Sequence, residues 1–244
     1  MLVSLYINVV WLLAGFLNGV TSFGGNLFAV PLMTLVMDTK EAIILSCIVG
    51  TAITVSIAVV YHGKLPKLEF MLAFFSSLAG IPLGMTVLKL ASVGAILIGS
   101  GMILLCFLIW QAVAGRMHKA FMVPVWTIVP AGFLGGVLLG ATSMGGPVLA
   151  MYAVLRGWSK EATISVLNTM AALSMTMLVV FQWRSGLYTP SILDNALWAV
   201  PCAVIGVLAS VPVIRRLNPV IFRRLLLAML TFSTVMLFVK GWQA

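Results

Sequence analysis

Two short stretches place polar and conformationally unusual residues inside an otherwise apolar chain. Thr21, Ser22, Gly24, Gly25 and Asn26 form the first, and Thr142, Ser143, Gly145, Gly146 and Pro147 the second. Each joins two hydroxyls to a double glycine in the order T-S-x-G-G. Glycine has no Cβ and admits backbone conformations other residues avoid, so a helix can stop and restart there. A helix restarting near Asn26 or Pro147 presents free N–H donors and partial positive charge. Proline suits such a first turn, because its missing N–H would have been unpaired anyway. The chemistry implied is hydrogen-bond donation to a small anion, not group transfer. Asn18 and Asn26 lie beside the first break, within reach of a ligand.

Further polar side chains sit in the third apolar piece of each half: Thr51, Thr54 and Ser56 in one, Asn168, Thr169, Ser174, Thr176 and Gln182 in the other. Hydroxyls can bond back to their own helix, which is the plainer reading for most of them. Asn168 and Gln182 are costlier to bury and join the candidate substrate contacts. Gly15/Gly19 and Gly136/Gly140 are small-xxx-small pairs, which commonly do no more than let helices approach closely.

Other chemistries find little support. The acids Asp38, Glu41, Glu69, Glu161 and Asp194 all fall at segment ends or in loops, so no intramembrane proton relay is identified. His62 and His118 lie in basic loops and offer no metal pair. Cys47, Cys106 and Cys202 are isolated, which reads as packing rather than ligation. No catalytic residue, metal site or cofactor is implied, and the chain is not expected to be an enzyme. An intramembrane enzyme acting on lipid would need a nucleophile with its base, or a metal cluster, and with both histidines in loops and no acid expected to be buried that reading finds no support.

The elements that must hold these residues are membrane helices. Of 244 residues 62% are hydrophobic and 8% charged, and mean hydropathy is +1.19. So few polar groups could not cover a soluble domain. The apolar runs approach or exceed the roughly 20 residues a bilayer core requires. The net charge of +9 sits in short loops, where it orients helices and gives no reason to expect nucleic-acid binding. The first segment has neither the basic start nor the cleavage site of a secretory signal and is expected to remain in the mature protein.

The chain is also internally duplicated. Residues 15–32 and 136–153 align without gaps at Gly15/Gly136, Leu17/Leu138, Gly19/Gly140, Thr21/Thr142, Ser22/Ser143, Gly24/Gly145, Gly25/Gly146 and Ala29/Ala150. A Lys-Glu-Ala triplet follows each copy, at 40–42 and 160–162, and Gly80–Lys89 loosely matches Gly206–Arg215. This order points to two repeats, 1–119 and 120–244, within one integral membrane domain. Each divides into five apolar pieces: about 3–21, 25–37, 42–61, 69–88 and 92–114, then about 122–141, 146–155, 162–182, 193–214 and 220–239. The second pieces reach only about 20 Å and 15 Å, too short to cross comfortably. Assigning the charge-heavy loops to the cytoplasm puts 62–67, 116–119, 156–160 and 215–224 inside and both termini outside. That solution requires each broken pair to begin and end on one face, from opposite faces in the two halves. The expected fold is therefore an all-α polytopic membrane protein of two inverted-topology repeats, with roughly eight transmembrane helices if each broken pair is merged. Paired interruptions at matching places point to a transporter binding site near the midplane.

At GFLNGVTSFGGNLFAVPLM and GVLLGATSMGGPVLAMYAVLRGWSKEATISVLNTM, the sequence resembles the sulfite exporter TauE/SafE family of bacterial membrane permeases. Members commonly carry a longer glycine run at the first break, where this chain has Gly24-Gly25 followed by Asn26. The resemblance implies secondary transport of a small anion such as sulfite, thiosulfate, a sulfonate or a small carboxylate, in a bacterial inner membrane. Carried over by position, its site is Thr21–Asn26 and Thr142–Pro147 with Asn168 beside the second break. A channel for anions or small solutes and an accessory membrane subunit are the other readings. Direction, coupling ion and oligomeric state, a homo-oligomer included, stay open at this level.

Overall fold

The structure, a computed structural model, describes residues 2–21, 24–60, 66–114, 123–158, 160–216 and 219–243. Ser22, the histidines, loop residues 61–65 and 115–122, and the repeat boundary at 119/120 lie outside the described residues. Among those described there is helix almost throughout and no strand. The first half contains α1 (Leu2–Thr21), α2 (Gly25–Met33), α3 (Thr39–Val60), α4 (Lys67–Leu90) and α5 (Val93–Ala114). The second contains α6 (Ile128–Thr142), α7 (Gly146–Leu155), α8 (Lys160–Arg184), α9 (Pro190–Arg216) and α10 (Pro219–Gln243). Within the described residues seven segments are long and apolar enough to cross a bilayer. With 9 and 10 residues, α2 and α7 are not.

The outer surface fits lipid rather than water. Leu90, Leu197, Trp198 and Trp242 are exposed by 82%, 68%, 65% and 89%. Apolar cover on this scale marks a membrane-facing surface. The second apolar piece ends sooner than its hydropathy suggests. After Met33 the backbone tightens, Leu35 N–H bonding to Leu32 O and Val36 N–H to Met33 O. Asp38 then caps α3, its Oδ1 accepting from the N–H groups of Lys40 at 2.8 Å and Glu41 at 3.3 Å.

Each broken pair is a hairpin. The Tyr6 hydroxyl donates to Leu32 O at 3.1 Å, while the Gly25 N–H donates to Asn18 Oδ1 at 2.9 Å. Early α1 thus meets late α2, and the two run antiparallel. In the second half Gly135 of α6 lies against Gly145 and Leu149, so α7 returns along α6 in the same way. Neither hairpin makes a net crossing, which leaves three crossings per half. An odd number inverts the second copy.

Helix contacts show that inversion directly. Gly15 lies against Ala203 and Gly19 against Ser210, so α1 and α9 run parallel. Gly132, Gly136 and Gly140 lie against Ala73, Ser77 and Ile81, so α6 and α4 also run parallel. Full-length spans joined by short connections alternate in direction, which sets α4 against α1. Hence α6 opposes α1. The contacts repeat under exchange of halves: α1 with α9 answers α6 with α4, α3 with α9 answers α8 with α4, and α2 with α10 answers α7 with α5. On the approximate symmetry axis, α3 packs on α8 and α5 on α10.

One sequence expectation is corrected. Glu69 does stand at a segment end, in the first turn of α4, but it is buried at 8% exposure and is not a solvated end charge. It is covered because α7 and Trp158, from the other half, close over it.

Candidate functional site

Helix α1 stops at Thr21 and α2 restarts at Gly25; α6 stops at Thr142 and α7 restarts at Gly146. Gly24 adopts φ 138°, which side-chain-bearing residues rarely reach. Ser143 adopts a left-handed conformation at φ 58°, a strain of roughly 1–2 kcal/mol for an L-residue. Its hydrogen bonds hold it there. The Ser143 N–H donates to Leu139 O at 2.8 Å and its hydroxyl to Ile43 O at 3.0 Å.

The two breaks meet. Asn26 Nδ2 donates to Ser143 O at 2.9 Å and to Ser46 O at 3.3 Å. One amide therefore ties the first break to the second and both to the middle of α3. Gly50 makes room for it, since a Cβ there would stand 2.8 Å from Asn26 Nδ2.

A cavity of about 70 Å³ opens beside this junction. A single water needs roughly 10–15 Å³ by the same measure, so the space suits several waters or one small polyatomic solute. Asn18, Gly24 and Asn26 line it from the first break, and Ser143, Gly145, Gly146 and Pro147 from the second. Thr54, Ser77 and Ser174 add hydroxyls, with 3.3 Å between Ser77 Oγ and Ser174 Oγ. Leu139, Leu149, Met170 and Met175 supply apolar wall. No ionisable side chain is among the described lining residues.

Asn18 is the most informative of these. It is 5% exposed, and its Oδ1 accepts the Gly25 N–H at the start of α2. That capping leaves Nδ2 buried with no hydrogen-bond partner. An unpaired buried donor costs about 1–3 kcal/mol, which an acceptor inside the cavity would recover. At the matching place in the second half stands Leu139, so the two breaks are chemically unequal.

The remaining expected contacts lie elsewhere. The Thr21 hydroxyl bonds to Leu17 O at 2.7 Å and that of Thr142 to Leu138 O at 2.8 Å, each on its own helix. Gly25 forms the hairpin seat against Ala14 and Asn18. Asn168 Nδ2 bonds to Ile164 O at 2.8 Å, leaving Oδ1 without a partner. Gln182 Oε1 accepts from the Tyr188 hydroxyl at 2.8 Å, outside the cavity lining. Conversely, Ser77 and Gly50 were not singled out in the sequence. Thr54 and Ser174 had a signal, because they occupy matching places when 40–42 is set on 160–162.

A search of curated proteins and of solved structures gives no match. The profile of the family described as Sulfite exporter TauE/SafE matches residues 7–237. The chain belongs to that family. As a TauE/SafE family member with seven apolar spans among its described residues, it is a multi-pass membrane transporter. A family of exporters also accords with a chain for which no catalytic residue was assigned. The profile reaches through both breaks and both hairpins, so the whole cavity belongs to the family-matched portion.

Proposed function

We propose that this TauE/SafE family member carries a small anion, a sulfur oxyanion or organosulfonate, by alternating access between its two inverted halves. The observation that carries the reading is a cavity between two helix restarts lined by Asn18, whose Nδ2 is buried without a partner. Neutral donors in a desolvated space favour a negative solute without fixing it permanently, as release requires. The two hairpins enter from opposite faces and meet through Asn26, so rocking one half against the other would change which face reaches the cavity. The charge-heavy loops are assigned to the cytoplasm of a bacterial cell, which puts both termini outside the inner membrane.

Reconstituted vesicles provide the test. Labelled sulfite, thiosulfate and a short sulfonate are expected to enter with saturation and to exchange against the same anion inside. Asn18→Leu is expected to weaken apparent affinity by about tenfold, the loss of roughly one hydrogen bond to a charged ligand. Flux that rises linearly with concentration and shows no exchange would identify a channel instead. Absence of flux for every sulfur anion would reject the cargo class.

A further inference from the structure

Beneath the cavity lies a partly buried ionic cluster around the buried Glu69, with no counterpart among the described residues of the other half. Glu69 Oε1 accepts from Arg156 Nε at 3.1 Å and forms an ion pair with Nη2 of the same guanidinium, also at 3.1 Å. Glu69 Oε2 accepts from Trp158 Nε1 at 3.0 Å and the Tyr152 hydroxyl at 3.2 Å. Arg156 Nη1 reaches Val123 O at 3.4 Å, at the approach to α6. The rings of Tyr152 and Trp158 meet edge to face, with centroids 5.5 Å apart. All three hydrogen-bond donors to this one carboxylate come from the second half, and the carboxylate itself from the first.

Position along the helices gives the cluster its meaning. Glu69 lies about two turns from cavity-lining Ser77 on α4, and Tyr152 about one turn from cavity-lining Leu149 on α7. Tyr152, which donates to Glu69, shares a packed cluster with Met170, and Leu149 packs against it; both of those side chains also line the cavity. Aligning Gly24 with Gly145 sets Pro31, Leu35 and Met37 opposite Tyr152, Arg156 and Trp158. Aligning Gly80 with Gly206 sets Asn195 opposite Glu69. The symmetric place is thus without charge pairing: Asn195 bonds back to Ser191 O, and Leu35 is 48% exposed.

We propose that Glu69, Arg156, Tyr152 and Trp158 form a one-sided gate that closes the cavity toward the face bearing Arg156. A buried carboxylate with three donors and an ion pair is strongly held while every partner is in place, and weakly once the guanidinium leaves. The gate biases the protein to rest closed on that face, because among the described residues no ion pair joins the two halves at the opposite end. This goes beyond the transport reading, resting on the cavity and not on its cargo.

The experiment reads cavity accessibility without any anion present, so a misassigned cargo does not affect it. Ser77→Cys is placed in a full-length background with Cys47, Cys106 and Cys202 changed to alanine. A membrane-impermeant thiol reagent is then applied to vesicles of each orientation. Glu69→Gln is expected to raise labelling from the Arg156 face by at least about tenfold and not to raise it from the other. Trp158→Phe, which removes one donor and keeps the ion pair, is expected to give about a threefold rise from the same face; this variant decides the matter if Glu69→Gln does not accumulate. Labelling unchanged in the variants, or raised equally from both faces, would overturn the gate.

Discussion

One amide, that of Asn26, ties the first helix break to the second, and Asn26→Ala tests how firmly. The substitution deletes both hydrogen bonds from Nδ2, the 2.9 Å bond to Ser143 O and the 3.3 Å bond to Ser46 O. Each such bond contributes about 1 kcal/mol net. The Ser46 carbonyl lies within α3, where a helical partner remains available. Ser143 O has ended its helix and faces the junction, so its desolvation is uncompensated, adding roughly 1 kcal/mol. The sum is about 2–3 kcal/mol. For a chain of this length that corresponds to a fall of about 5–10 °C in Tm, using roughly 2–4 °C per kcal/mol. The assay is thermal unfolding of purified protein in one fixed detergent, followed by intrinsic fluorescence. Asn26→Asp should be worse than alanine, because an acceptor then faces two carbonyls and a charge sits unpaired in the junction. Such protein is expected not to accumulate in the membrane. If Asn26→Ala unfolds at the parental temperature, the amide does not hold the breaks together and the junction has been misread.

Two further outcomes follow from the same geometry. A methyl at Gly140 overlaps the Ile81 carbonyl and one at Gly15 overlaps the Ala203 carbonyl, whereas a methyl at Gly99 meets nothing within 4 Å. Thermal unfolding is therefore expected to show losses of about 1–3 kcal/mol for Gly140→Ala and Gly15→Ala. Gly99→Ala should be neutral or stabilising by up to about 1 kcal/mol; equal effects at all three would contradict the close helix contacts. Because no described lining residue is ionisable, the affinity for a permanently charged sulfonate is expected to stay flat between about pH 6 and 8. Ligand-induced thermal shifts measured across that range check this, and a tenfold change would place a titrating group in the site.

The amino-acid order determined much of this protein without reference to coordinates. Apolar runs must become helices in a bilayer, because no water is present to satisfy their backbone groups. The T-S-x-G-G segments had to interrupt those helices, since Gly24 takes a conformation other residues rarely adopt and the following pieces are too short to cross. Loop charge then required hairpins entering from opposite faces, and the parallel pairing of α1 with α9 and α6 with α4 carries that inversion. Hydropathy and charge are local quantities, legible in any window of the chain.

Which side chains converge was decided only by tertiary packing. Thr21 and Thr142 look equal to Ser143 as hydroxyls, yet they turn back onto their own helices while Ser143 reaches across to α3. Asn168 and Gln182 promised polar contacts within their span, but their rotation about α8 and the arrival of Tyr188 take them off the cavity wall. Ser77 gains its place only because α4 packs on α6 and α8. Glu69, which the linear order shows only as a charge at a segment end, is buried by donors more than eighty residues away. Where a side chain on a helix points depends on which neighbour covers that face, and in this fold the neighbours come from the other half of the chain.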